Sequence, residues 1–359
     1  MASQHRAEAM TITGSRISDR PGKLMKTVRL PHSDLEIGKA VFGTGRLGGT
    51  VERYDKREAV AILRAAKDAG INCFDTADIY GQGNSERLLA EAFRQYRDEV
   101  VYATKGGYVL SAKALLLAKI KPLVRRFLKA RPAISKAAAR ARGGQMSKCF
   151  SREHLTRAVN ASLSRLKTDF MDIYQLHSPD PVHLTDSDAF DTLAELKSCG
   201  KIRSYGVSVL SWEDVPLCFG RGVSWIQVAA DLSTRTDQAE WCARAADEQV
   251  MLVARQIFSA GLLLRDPAEL GPVDCAGDDD ALARLKACLE AVRRIGDPAG
   301  VMLRYLMHHA PFGAFIFATT RLPNLRQNIA ALGQPAFLPD EVSKLQGCFP
   351  PGARSLTGG

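Results

Sequence analysis

Four residues whose types do proton chemistry recur at similar places in the chain: Asp75 in "INCFDTAD", Tyr80 shortly after it, Lys105 closing "VVYATK" and His177 closing "FMDIYQLH". A phenol with an ordinary pKa near 10 exchanges protons poorly at neutral pH, and a neighbouring ammonium lowers that value by stabilising the phenolate. Lys105 can supply the ammonium, Asp75 can hold it in place, and His177 can hydrogen-bond the phenol oxygen or a substrate carbonyl. A tyrosine so placed protonates an oxygen as hydride arrives on the attached carbon. Singly, each residue also has a structural reading: Asp75 as a turn residue, Tyr80 as a half-buried aromatic, Lys105 as half of an ion pair, His177 as a core histidine. No metal-binding grouping accompanies them, nor a serine or cysteine nucleophile beside a base.

The elements that must position them follow from periodicity. Short apolar or β-branched runs at 37–45, 71–77, 100–105, 170–177, 202–209, 225–232, 250–257 and 313–320 alternate with amphipathic helical runs such as "DKREAVAILRAAKDAG" and "REHLTRAVNASLSRLK". Alternation of this kind marks parallel βαβ units. Eight strand and helix pairs predict an α/β chain folded as a (β/α)8 TIM barrel, whose chemistry sits at the C-terminal ends of the strands. The four candidates stand at those ends or in the loops just beyond. Residues 25–359 are expected to form this single domain, and residues 1–24 a disordered tail.

Gly43, Gly45 and Gly48 in "VFGTGRLGGT" match the G-x-G-x-x-G spacing of a dinucleotide-binding turn. That turn requires a helix directly after the glycines and an acid roughly 20 residues further on. Here the first amphipathic run begins near Asp55, and Asp75 comes 27 positions after Gly48. The match is therefore read as a barrel loop.

With 46% apolar and 25% charged residues, the 359-residue chain has material for a large core. It has neither an apolar run of membrane-spanning length nor a secretory leader, so a cytoplasmic protein is expected. Its eight cysteines show no C-x-x-C pair and no histidine at metal-ligand spacing, so free thiols are expected. The net charge of +10 is local, because residues 111–149 carry eleven Lys or Arg and no acid. The remainder is near neutral, and nucleic-acid binding is not expected.

The segments "FDTADIYGQGNSE", "YATKGG", "SLSRLKTDFMDIYQLHSPD", "GKIRSYGVSV" and "TTRLPNLRQNIAAL" resemble the consecutive motifs of the aldo-keto reductases, over about residues 27–345. The resemblance implies a (β/α)8 barrel that binds NADP(H) in an extended pose, and an NAD(P)H-dependent oxidoreductase interconverting an aldehyde, ketone or sugar carbonyl with its alcohol. It places the catalytic tetrad on Asp75, Tyr80, Lys105 and His177, with Tyr80 the proton donor. It places cofactor contacts on Gly43, Thr44 and Asp75, and the nicotinamide amide on Ser208 and Gln227. Arg255 stands where many members stack a tyrosine on the nicotinamide. The adenosine phosphate falls to Thr319, Thr320, Arg321, Gln327 and Asn328. Asn324 replaces a basic residue common there, so NADH is admitted beside NADPH.

The basic segment follows the third strand, on the active-site side. A helical flap, capture of an anionic substrate or acidic partner, and attachment to an anionic membrane surface are all open to it. A reading of another class is an NADPH-bound sensor or regulatory barrel that recruits an acidic partner through this segment.

Overall fold

The computed structural model describes residues 26–48, 55–110, 146–186, 188–230, 238–275 and 277–348. The expected tail at 1–24 and most of the basic segment, 111–145, lie outside these residues.

Eight parallel strands close into a barrel: β3 (Ala40–Gly43), β4 (Cys73–Asp75), β5 (Val101–Gly106), β8 (Met171–His177), β9 (Ile202–Ser208), β10 (Trp225–Ala229), β11 (Met251–Arg255) and β12 (Ala314–Phe317), the last pairing back onto β3. Seven lie within the runs read from the sequence, and β5 extends one residue past its run, to Gly106. The first run holds two strands, however. Residues Glu36–Gly38 form β2, which pairs antiparallel with β1 (Thr27–Arg29), and the chain turns at Lys39 before entering β3. The Lys39 amide is bonded to the Lys26 carbonyl while its own carbonyl accepts from Phe315, so the backbone serves two sheets within one apolar run. Leu30, Leu35 and Ile37 of this hairpin pack with Val41, Val101, Ile173 and Trp225 to plug the barrel's N-terminal end.

The strands' two-residue period divides the core. Phe42, Phe74, Tyr102, Tyr174, Val207 and Phe315 face the helices in the larger cluster, while Val41, Cys73, Val101, Ala103, Ile173 and Val253 fill the interior. The surrounding helices include α1 (Lys56–Asp68), α2 (Asn84–Phe93) and α3 (Arg152–Leu166). Asp55 caps α1 by accepting from the Arg57 and Glu58 amides, and Ser151 caps α3 through the His154 amide, each supplying an acceptor that a helix's first turn lacks. A short antiparallel ribbon, β6 (Tyr108–Leu110) with β7 (Met146–Lys148), rises from the C-terminal end of β5 and bounds the basic segment.

Candidate active site

Strand register assembles the site. Asp75 pairs with Gly43 on one side and Ala103 on the other, so Lys105, two residues on, points to the same interior face one layer higher. Lys105 lies opposite Gln175, and His177 opposite Ser208, which lies opposite Gln227. Along four of the strands the interior residues change from apolar to polar toward this end: Cys73 to Asp75, Ala103 to Lys105, Ile173 to His177, Val253 to Arg255. The register thus gathers polar side chains in one layer.

Lys105, 1% exposed, donates to both oxygens of Asp75, at 2.7 and 2.6 Å, and to the Thr76 carbonyl at 2.8 Å. Gln227 donates its amide to Asp75 Oδ1 at 2.6 Å. Tyr80 begins a 3-10 turn after β4, with the Lys105 ammonium 5.3 Å from its ring centre. The loop reaches this position because Gly81 takes a left-handed φ of 56°, pressed against the Gly48 carbonyl where any Cβ would collide. His177 meets Tyr80 edge to face, with ring centres 5.8 Å apart. The four residues of the expected tetrad therefore converge.

Their electrostatics differ from expectation in one respect. Burial pushes the Tyr80 phenol above its ordinary value, and the charges of Lys105 and Arg255 pull it back without reversing the direction. Desolvation outweighs the neighbouring ammonium because the protein packed around the phenol disfavours the charged phenolate. Burial, reinforced by Lys105, Arg255 and Lys148, holds the His177 imidazole well below the histidine range, so it is neutral at pH 7. A neutral phenol and a neutral imidazole are the forms that donate hydrogen bonds to a carbonyl without adding charge.

These groups open on a cavity of about 630 Å³ bounded by Gly43, Gly45, Ser208, Arg255, Thr319 and Thr320. A second cavity of about 300 Å³ shares Phe258, Leu264, Ala318, Thr319 and Asn324 with it and continues to Gln327 and Asn328. Backbone strain is present on the cavity lining: Ser178, Gln256 and Ala260 have φ between 53° and 58°. Conformations of this kind persist where the surroundings over-determine them, commonly around a ligand.

The model of the aldo/keto reductase family matches residues 39–349. This chain belongs to that family. An oxidoreductase of Bacillus subtilis, YqkF, is 25% identical over 333 residues, covering 90% of this chain and 96% of that one. An NADH-specific methylglyoxal reductase of Escherichia coli is 31% identical over 190 residues, 51% of this chain and 52% of that protein. An aldo-keto reductase of Klebsiella pneumoniae, solved in complex with NADPH, superposes with a TM-score of 0.65 at 23% identity, covering 92% of this chain and 97% of that one. Closed parallel barrel and family agree.

Within this aldo-keto reductase the residues expected at a cofactor are not all at the cavity. Gly43, Asp75, Ser208, Gln227, Arg255, Thr319 and Thr320 line the larger cavity, and Gln327 and Asn328 the smaller. Thr44 lines neither: both its amide and its hydroxyl donate to the Asp75 carbonyl, at 2.8 and 3.0 Å, so it fixes the strand that carries Asp75. Arg321 is exposed at the N-cap of the helix Leu322–Leu332, its amide donating to the Thr319 hydroxyl. Gly45 lies against the Tyr80 ring and Gly48 against Ser85, so the glycine-rich stretch allows loop packing around Tyr80. Sequence reasoning missed Tyr108, whose ring stands edge to face with His177 at 4.9 Å. It also missed Arg293 and Asp297, which line the smaller cavity from distant helices. Among the described residues no group of three His, Cys, Asp or Glu is arranged to hold a metal.

Proposed function

We propose that this aldo-keto reductase uses NADP(H) to reduce the carbonyl of a small aldehyde, ketone or sugar, or to run the reverse oxidation, with Tyr80 as general acid and base. The observation that carries this reading is the buried Lys105 ammonium, held by both oxygens of Asp75 and set beside the Tyr80 side chain in the cavity of about 630 Å³. In reduction the Tyr80 hydroxyl gives its proton to the carbonyl oxygen, and Lys105 with Arg255 stabilises the phenolate that remains. Neutral His177 orients the carbonyl by hydrogen bonding. Asp75 keeps Lys105 charged and in place.

The two continuous cavities suit an extended dinucleotide, and a bound nicotinamide would supply the hydride. Ser208 and the acceptor oxygen of Gln227 would hold its carboxamide, Gln227 having committed its amide nitrogen to Asp75. Thr319, Thr320, Gln327 and Asn328 would take the adenosine phosphate, with Arg321 at the edge. The NADPH complex of the Klebsiella relative supports NADPH, and the NADH-specific Escherichia relative supports admitting NADH.

A regulatory role recruiting an acidic partner finds less support, since a retired site has no need of an ammonium buried beside a tyrosine. No helix among the described residues is long and apolar enough to cross a membrane, and we place the enzyme in the cytoplasm. The test is titration with NADPH and NADH, followed by a carbonyl panel read as cofactor oxidation. Absence of turnover with every carbonyl despite cofactor binding would return the protein to the regulatory class.

A further inference from the structure

Arg255 ends β11 inside the cavity, and among the described residues nothing neutralises its charge. The Lys105 charge is cancelled by Asp75, that of Lys148 by Asp180 at 2.6 Å, and His177 is uncharged. Among the described residues no carboxylate is ion-paired with Arg255. Among the described residues its guanidinium donates from Nη2 to the Val209 carbonyl at 2.8 Å, and its Nε is buried without a hydrogen-bond partner. The groups that feel its charge most are Tyr80, Asp75 and Tyr108. Among the described residues, the only other cation on the cavity lining outside these pairs is Arg46, which is exposed on the rim.

Whatever carbonyl Tyr80 protonates must have its carbon within contact of the hydride donor, so a nicotinamide bound for that reaction would share the cavity that Arg255 and Tyr80 both line. That ring is neutral when reduced and carries one positive charge when oxidised. A fixed cation beside the ring discriminates between these states, repelling the oxidised ring and leaving the reduced one untouched. Resting on the NADP(H) reading above, we propose that Arg255 makes the cofactor site selective for redox state, holding NADPH in preference to NADP+ and so favouring carbonyl reduction. The same charge stabilises the Tyr80 phenolate left by proton transfer, so it helps the acid while hastening release of the oxidised cofactor. A neutral aromatic ring at this position would bring neither effect.

The experiment compares dissociation constants for NADPH and NADP+, measured by fluorescence titration or calorimetry in wild-type protein, Arg255→Lys and Arg255→Met, with thermal melts to verify folding. The proposal expects wild type to hold NADPH about tenfold to a hundredfold more tightly than NADP+. Arg255→Met should bring the two constants together mainly by tightening NADP+, while Arg255→Lys should keep most of the difference because it keeps the charge. Equal weakening of both forms in Arg255→Met, with their ratio unchanged, would show Arg255 to be a support for the Val209 carbonyl and overturn the proposal. Failure of wild type to bind either form would overturn the cofactor reading itself, a separate outcome.

Discussion

The barrel carries a buried aspartate at each end, and the two are partnered in opposite ways. At the N-terminal end Asp172, 1% exposed, accepts from the Tyr102 amide at 2.8 Å, from Arg97 at 2.8 Å and from Arg203 at 2.9 Å. Arg97 donates in addition to Thr168, Val100 and Phe170, and Arg203 to Asp34. The donors and acceptors of this cluster are consumed internally. At the C-terminal end Asp75 is as well bonded, but the groups around it are not: His177 Nδ1, Arg255 Nε, the Thr76 hydroxyl and both polar atoms of Gln175 lack partners. Buried polar groups are normally satisfied, because each orphan costs on the order of 1–3 kcal/mol. Orphans concentrated around one of two comparable ion pairs mark the end that completes itself with ligands. The saturated end is fastened; the unsaturated end is prepared.

Removing one partner from a closed buried cluster should give the largest effect. Asp172→Ala strands two arginines and an amide, and is expected to cost about 3–5 kcal/mol of stability, read as a lowered denaturation midpoint, while the folded fraction keeps its turnover. If activity per folded molecule fell with stability, the two ends would be coupled and the division between them wrong.

At the other end Tyr80→Phe should leave the melting temperature and cofactor affinity nearly unchanged and lower the reductive rate by about 100-fold or more. Wild-type turnover in that variant would remove Tyr80 from the acid role.

Asp78 sharpens the comparison, because it lies between the two kinds of environment. Its amide is bonded to the Lys105 carbonyl, but its Oδ1 is buried without a partner, and burial together with Glu86 raises its carboxyl to about 7, Arg165 opposing. The folded protein therefore retains a proton at Asp78 that the unfolded chain has lost above about pH 4. The stability linked to this group is fully present below the unfolded value and declines as pH rises toward 7. Asp78→Asn should flatten that decline in denaturation measured between pH 5 and 8. An unaltered pH dependence would show that Asp78 is already ionised in the fold.

The smallest effect is expected at an exposed charge. Arg321→Ala should narrow a preference for NADPH over NADH by about two- to fivefold, since a solvated ion pair contributes little. An unchanged preference would assign the phosphate contact to groups on the smaller cavity, Arg293 among them.

Much of the fold was legible in the chain, because alternation of strand and helix periods is a local property and eight such units have few ways to close. The tetrad was legible for the same reason: a polar residue ending an apolar strand stands out, and barrel geometry sends every such residue to one rim. The hairpin plugging the N-terminal end was not, since Glu36–Gly38 and Ala40–Gly43 form one apolar run whose division at Lys39 depends on hydrogen bonds to Lys26 and Phe315. Nor could the sequence show that Thr44 spends its hydroxyl on the Asp75 carbonyl, or that Arg321 stands outside the cavities. The direction of the Tyr80 shift was likewise decided by tertiary structure. Sequence supplies the identity of a charge and its neighbours along the chain, whereas a proton's affinity depends on how much water the fold removes from around it and on which charges, distant in sequence, the register brings within a few ångström.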